Sequence, residues 1–483
     1  MEMRVTGQLE GRVNNDIFAA ITLRCVECGT TYPGMEGHPR YRCDCGGTLD
    51  VEMAYQHPMQ VQGAAPLQEA YDALTTPASN LTTPLAGAPW RQLFDERAAQ
   101  STIWPLSPDR LLPDRSGVWR YRELILPIPA QSIVSRPEGN TPLYPVGREN
   151  CAENRIGHRQ IGQYAGVERL FLKHEGENPT GSFKDRGMTV GVSVARILGA
   201  RAVACASTGN TSASLASYAA QAGMRCIVFL PAGNVAAGKL AQSLAYGATT
   251  VQVQGDFDDA MRLVEQVCDE LGIYLLNSLN PYRIEGQKAI AFELLQQLDW
   301  QAPDWLVLPA GNLGNTSAIG KALIQAFQLG LIGHLPRIAS IQAAGANPFY
   351  RSFTQGFATR EQVQARTVAT AIKIGNPVSF TRARRVIQQT QGVVEEVSDE
   401  EILAAKAVID CAGIGCEPAS AATLAGIRKL VQRGTIQQDE RVAGILTGTL
   451  LKDNQTGIPQ QPQHQAVEAT IDAVRRVLET LAW

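Results

Sequence analysis

A parallel α/β fold, with helices covering both faces of its sheets, is predicted for most of this chain, on three observations. From about residue 165, short continuous apolar runs recur: RLFLKHE, RAVACAS, RCIVFLP, TTVQVQG, IYLLNS, DWLVLPAG and RIASIQA. Longer amphipathic stretches separate them, the clearest being SFKDRGMTVGVSVARILG, SASLASYAAQAG, DDAMRLVEQVCDELG and EGQKAIAFELLQQL. Strands that are apolar on both faces belong in sheets buried between helical layers, and such sheets are parallel. The third observation is bulk: 483 residues, 45% hydrophobic, with 44 glycines, fit a large α/β enzyme of more than one domain. No internal repeat or low-complexity tract is visible.

Ahead of that core, residues 1–52 read as a small unit of their own. CVECGTTYPGMEGHPRYRCDCGG places Cys25 and Cys28 in one pair and Cys43 and Cys45 in a second, tighter pair. Two such knuckles deliver four thiolates tetrahedrally, so the spacing predicts a zinc-ribbon-like unit around one structural zinc; the alternative is a degenerate ribbon that folds without metal. Four thiolates leave no open position for catalysis. His38 could replace one of them, although a loop histidine is more often simply solvated. The other cysteines of the ten, 151, 205, 226, 268, 411 and 416, are scattered through helical or apolar segments and read as reduced thiols.

Residues 53–137 are rich in proline and weak in periodicity. Tryptophans at 90, 104 and 119 argue for a packed segment wrapped over the next domain, because disordered linkers are poor in aromatics. A formal charge of -3 supplies no basic field for nucleic acid or an anionic membrane. The start, MEMRVTGQLEGRVNN, has no apolar stretch of signal-peptide type, and no run of about 18 apolar residues occurs. A soluble, cytoplasmic protein is expected.

Ligands of parallel α/β sheets sit at the carboxyl ends of the strands, where helix N-termini point. Four loops fall there. ENPTGSFKDRG puts Lys184 in the first turn of a helix; the helix dipole and burial both disfavour its ammonium, and a neutral amine is what Schiff-base chemistry needs. The plain alternative is a surface lysine beside Asp185. ASTGNTSAS gathers Ser207, Thr208, Asn210, Thr211 and Ser212 around Gly209, an anion cradle with more hydroxyls than a simple helix cap requires. PAGNLGN, 309–315, allows close backbone approach at Gly311 and Gly314, yet it is neither a Walker A sequence nor G-x-G-x-x-G. GILTGTLLKD, 444–453, ends a strand at Thr447, whose hydroxyl is a cap or a ligand contact.

Taken together, NPTGSFKDRG, STGNTSAS, NSLNPYRIEGQK, PAGNLGN, IGNPVSF and CEPASAA resemble, in order across most of 138–455, the pyridoxal-phosphate enzymes of the tryptophan-synthase-β-like fold, and within them the threonine synthase family. The cysteine ribbon and the tract WRQLFDERAAQSTIWPL…SGVWRYRELILP resemble its longer, plant-type subgroup, which S-adenosylmethionine activates. The resemblance implies two doubly wound α/β lobes of PLP fold type II, the smaller about 186–278, within a catalytic core 138–455 that a C-terminal helix or tail, 456–483, follows. It further implies a homodimer. Lys184 would be the Schiff-base lysine, Phe183 would wall the ring, and Asn210 would bond the cofactor's 3′-oxygen. Gly311, Asn312, Leu313, Gly314 and Asn315 would hold its phosphate, and Thr447 would meet the pyridine nitrogen. The substrate, O-phosphohomoserine, would place its phosphate on Arg283, Asn277 and Ser278, with Lys239 as a further cation, and its carboxylate on Ser207, Thr208, Asn210 and Thr211. Phosphate loss followed by water addition would give threonine.

One departure stands out. The family tail commonly reads T-G-H-G-L-K-D, and this chain has TGTLLKD, so Thr449 and Leu450 replace the histidine and glycine while Thr447 is retained. The rival readings are a threonine dehydratase or cysteine-type synthase, against which Arg283 argues because it calls for a phosphorylated substrate, and a non-catalytic regulator, against which the intact Lys184 argues.

Overall fold

The computed structural model describes residues 21–37, 39–53, 87–101, 112–207, 209–232, 237–254, 257–453 and 467–479. His38, Trp104 and Thr208 lie outside them, as does the side chain of Lys239.

The N-terminal unit is an antiparallel sheet in which β1 (Ile21–Cys25) lies between β2 (Thr31–Pro33) and β3 (Leu49–Met53). Its inner residues alternate with half-exposed ones, as a one-faced sheet requires. After it comes α1 (Ala88–Ser101), and then two parallel sheets form the body. The larger has the order β12-β11-β10-β13-β5-β4, with β4 (Leu143–Pro145), β5 (Arg169–His174), β10 (Trp305–Pro309), β11 (Arg337–Ala343), β12 (Val393–Val397) and β13 (Arg441–Leu446). Only the edge pair β4–β5 is antiparallel. The smaller sheet has the order β8-β7-β6-β9, with β6 (Ala202–Ala206), β7 (Arg225–Pro231), β8 (Thr249–Val253) and β9 (Tyr274–Leu275). The apolar runs are therefore parallel strands, although IYLLNS contributes only two residues to its sheet before turning away.

Six helices place the site: α2 (Lys184–Ile197), α3 (Asn210–Ala222), α4 (Pro281–Gln287), α5 (Ala289–Gln297), α6 (Gly314–Gln328) and α7 (Pro418–Gln432). The closest of their packings is α2 against α4, which glycines make possible. A Cβ on Gly286 would stand 1.9 Å from the Arg186 carbonyl oxygen, and one on Gly187 would stand 2.9 Å from the Arg283 carbonyl oxygen. Backbones that approach this closely fix the distance between the functional groups the two helices carry.

Four charges are buried where β5, α2 and α5 meet. Lys173 Nζ lies 2.6 Å from Glu293 Oε1, Arg186 Nη2 lies 2.8 Å from the same oxygen, and Arg186 Nε lies 2.6 Å from Glu175. The N-terminal segments share the apolar core of this body: Leu23 and Val51 of the ribbon, with Trp90, Phe94, Trp119 and Tyr121 of the following segment, are buried in one cluster with α2 and α5. Trp119 Nε1 donates to Thr189 Oγ1 on α2 at 2.7 Å. No helix of the described residues is long and apolar enough to cross a membrane.

Candidate active site

A cavity of about 640 Å³ opens between the two parallel sheets, at the carboxyl ends of their strands. Phe183 and Lys184 line it from the start of α2. The loop before α2 is held from below by the Asp185 carboxylate, which accepts from Thr180 N at 2.7 Å, Thr180 Oγ1 at 2.6 Å and Ser214 Oγ at 2.6 Å. Gly181 turns that loop at φ +87°, a conformation side chains rarely adopt. Beside it the backbone of the TGT segment runs antiparallel: Phe183 N donates to Thr447 O at 3.0 Å, and Thr449 N donates to Gly181 O at 3.0 Å. These are main-chain contacts, so the Thr449 and Leu450 departure leaves the pairing in place.

Lys184 is half-buried, its Nζ 4.1 Å from the centre of the Phe183 ring. Burial first, then the Arg283 guanidinium, pull its pKa down to about 7, against an opposing pull from Glu417. Arg283 lies on α4 and is itself buried. Its Nη1 donates to Leu276 O at 3.2 Å, and its Nε has no partner among the described residues. Burial draws its pKa down to about 10. A desolvated guanidinium without a carboxylate partner among the described residues is a site made for an anion.

Ser207, Asn210 and Thr211 reach the cavity from the β6–α3 junction, and Asn277 and Ser278 reach it from the end of β9. Asn277 is also tied to the strand: its Oδ1 accepts from Ala206 N at 2.8 Å and one Nδ2 hydrogen goes to Ala206 O at 3.0 Å, which leaves the second for the cavity. Gly311, Asn312, Leu313, Gly314 and Asn315 form the fifth wall, where β10 turns into α6. Leu313 sits there at φ +63°, and the side-chain amide of Asn315 is buried with neither end partnered. The first N–H groups of α6 have no intrahelical acceptor and face this opening. Asn312 Nδ2 donates to Ser278 Oγ at 3.4 Å, linking the fifth wall to the β9 end.

Among the cavity residues to which the sequence gave no role, two carry charge into its hydrogen-bond network. Glu417, just before α7, is buried; its Oε2 accepts from Asn210 Nδ2 at 3.0 Å and its Oε1 from Thr447 Oγ1 at 3.1 Å. Burial raises its pKa, and those two hydrogen bonds lower it again in part. Its signal was present in CEPASAA, a carboxylate before a helix-starting proline. Lys452 is the other, its Nζ 2.7 Å from Gln242 Oε1 across the cavity and its pKa lowered by burial; it is the lysine of LLKD, next to the Thr447 loop. Among the described residues, an amide and a guanidinium Nε without partners, a helix N-terminus and a half-buried amine around one cavity fit a phosphorylated, carbonyl-bearing ring.

The four ribbon thiols converge separately, on the far side of α4. Cys25 Sγ lies 3.5 Å from Cys45 Sγ, Cys28 Sγ lies 3.4 Å from Cys43 Sγ, and all four sulfurs lie within 4.8 Å of one another.

The sequence pattern of the family described as "Pyridoxal-phosphate dependent enzyme" matches residues 134–448. A threonine synthase of Methanosarcina acetivorans is 49% identical over 77% of this chain and 88% of its own length. One from Methanocaldococcus jannaschii is 42% identical over 95% of this chain and 99% of its own. The chain belongs to the threonine synthase family of pyridoxal-phosphate-dependent enzymes. Its fold is also that of a threonine deaminase from Solanum lycopersicum, with a TM-score of 0.56 over 69% of this chain and 89% of that one, at 20% identity. "Threonine synthase 2, chloroplastic" of Arabidopsis thaliana is 42% identical over 76% of this chain and 69% of its own length.

The lowered Lys184 pKa gives a pH prediction. In cofactor-free protein, its acylation by a small reagent should rise with a midpoint near pH 7, while surface lysines follow the usual value near 10.4. Between pH 7 and 10.5 the unfolded chain holds a proton at this lysine that the folded one lacks, so its contribution to stability rises with pH across that window. Competitive labelling read by mass spectrometry checks it; a Lys184 midpoint near 10 overturns it.

Proposed function

We propose that this protein makes L-threonine from O-phospho-L-homoserine and water, releasing phosphate, with pyridoxal 5′-phosphate as its cofactor. The observation that carries the reading is the buried Arg283, with no carboxylate partner among the described residues, lining one cavity with the Lys184 amine. A dehydratase acting on an unphosphorylated amino acid would leave that guanidinium unpaired, which costs several kcal/mol.

When bound, the cofactor supplies an electron sink for negative charge at the substrate carbons. Lys184 would hold it; once substrate takes its place, the freed amine, whose pKa near 7 makes both of its protonation states accessible, would take and return protons at Cα and Cβ. Phe183 walls one side. The first N–H groups of α6, with Gly311 to Asn315, cradle its phosphate. Glu417 fixes Asn210 with one Nδ2 hydrogen donated to it, which leaves the second for the cofactor's 3′-oxygen, and Glu417 likewise orients the Thr447 hydroxyl near the ring nitrogen. Arg283, Asn277 and Ser278 grip the substrate phosphate, and the tie of Asn277 to Ala206 holds the strand end that presents them. Ser207, Thr208, Asn210 and Thr211, at the start of α3, receive the substrate carboxylate, and Lys239 adds a cation nearby. In this reading residues 1–52 are the ribbon, 53–137 the wrap, 138–455 the catalytic core and 456–483 a tail, in a cytoplasmic enzyme.

Lys184→Ala should lose the cofactor's visible absorbance and lower threonine formation by about 10³-fold or more. Phosphate release and absorbance spectra check it; substantial turnover in the variant would sink the assignment.

The ribbon is read as a structural zinc site. Four thiolates about 2.3 Å from zinc stand about 3.8 Å apart in a tetrahedron, close to the sulfur separations present. Purified protein should carry near-stoichiometric zinc, and Cys25→Ser with Cys28→Ser should remove it and lower the melting temperature. Metal-free protein of unchanged stability rejects the site.

A homodimer regulated by S-adenosylmethionine is the further part of the reading, supported by the plant-type resemblance of the Trp90–Pro127 tract. An effector activates only by binding the active arrangement more tightly. Turnover at subsaturating O-phosphohomoserine should rise with S-adenosylmethionine, and sedimentation should give two chains. No response at any effector concentration leaves the tract a packing element.

A further inference from the structure

We infer that the ribbon loop between the two cysteine pairs positions the substrate-phosphate grip, which makes Tyr41 and Tyr282 positioning residues for the reaction. The inference rests on the reading of Arg283 as the phosphate anchor. The grip is a short stretch, from the end of β9 at Leu275 through Asn277 and Ser278 into α4 with Arg283. The ribbon holds both ends of it. Leu275 N donates to Tyr41 Oη at 2.8 Å, and the Tyr41 ring meets Tyr274 edge-on at 5.9 Å. At the other end the Tyr282 hydroxyl donates to the Gly34 carbonyl. Gly34 and Tyr41 both lie between Cys28 and Cys43, in the loop that the thiol cluster closes. A third tie comes from β3: Lys321 Nζ donates to Val51 O at 2.7 Å and pairs with Glu285 of α4 at 2.5 Å.

The geometry of a helix gives these contacts their consequence. Neighbouring residues on a helix point about 100° apart, so the face that gives Tyr282 to the ribbon turns Arg283 into the cavity. The helix α4 has seven residues, too few to be stable alone, so its rotation is set by what it touches. Arg283 itself bonds back to Leu276 O at 3.2 Å, which closes the stretch on itself. The glycine contacts with α2 keep the two helices at a fixed separation, but releasing the Tyr41 and Gly34 contacts frees α4 to turn on that face, and the guanidinium leaves its line to the phosphate while Lys184, on α2, stays in place.

The test uses the holoenzyme with Tyr41→Phe and Tyr282→Phe, singly and together. The readouts are KM and kcat for O-phosphohomoserine and the dissociation constant of inorganic phosphate by calorimetry. The double variant should raise both KM and the phosphate dissociation constant about tenfold, the equivalent of one lost hydrogen bond, with kcat within about twofold. A merely structural role would shrink the active fraction, and so apparent kcat, without moving KM. Arg283→Gln is the control. If it weakens phosphate binding and none of the tyrosine variants does, the positioning inference is overturned alone. If Arg283→Gln leaves phosphate binding unchanged, the substrate reading falls and the inference falls with it. Should the double variant not fold, the single Tyr282→Phe decides on the same measurements.

Discussion

The buried charges Lys173, Glu293, Arg186 and Glu175 are the constraint on which the rest of this structure depends. Isolated, each would cost several kcal/mol to bury. Together they are two cations and two anions, and each is within 2.8 Å of a partner. Burial alone would raise the Glu293 pKa, yet Arg186 and Lys173 hold its carboxyl well below the usual range. Such a network is weak evidence for stability and strong evidence for geometry, because removing any one member leaves another unpaired. It joins the end of strand β5 and the first turn of α2, eleven residues apart at Glu175 and Arg186, to helix α5, 107 positions on from Arg186. Backbone groups complete it, with Asn140 N donating to Glu293 at 2.8 Å and Thr141 N at 3.0 Å.

From that anchor the functional groups follow by short covalent steps. Arg186 is two residues from Lys184, so fixing the guanidinium fixes the turn that presents the amine. Asp185, between them, ties the preceding loop to α3 through Ser214. The glycine contacts of α2 with α4 then set where Arg283 stands relative to Lys184. One motif, GSFKDRG, thus holds the reactive amine, the carboxylate that shapes its loop and a cation of the anchor. This answers why a chain with only 18% charged residues spends three in a row there.

The strands and the loops at their carboxyl ends were legible in the sequence because both are local. Apolar runs, small hydroxyl clusters and glycine turns declare themselves within ten residues or so. What stayed hidden depends on pairing across the fold. Glu417 meets Asn210 across 207 positions, and nothing in CEPASAA announces that partner. The tie of Asn277 to the Ala206 backbone, which aims its amide, likewise exists only once β9 lies beside β6. The ribbon could be read from its cysteines, but not the surface it grips, since Tyr41 and Tyr282 carry no spacing signal.

The electrostatics of the cavity link binding to proton transfer. Lys184, Arg283 and Lys452 are cations of its lining, and Glu417, held by Asn210 and Thr447, is a buried carboxylate among them, with Asp453 nearer the surface. After burial, Arg283 is the largest influence lowering the Lys184 pKa. In the proposed reading a phosphate dianion comes to rest on that guanidinium and cancels its field at the amine. Lys184 then becomes a stronger base at the moment a substrate proton has to be taken. When phosphate departs, the field returns and favours giving the proton back. A carboxylate built permanently beside Arg283 would stabilise the guanidinium more fully, but it would fix the amine in one state and remove that response. Leaving a buried arginine unpaired destabilises the empty fold and makes the substrate's own charge part of the site.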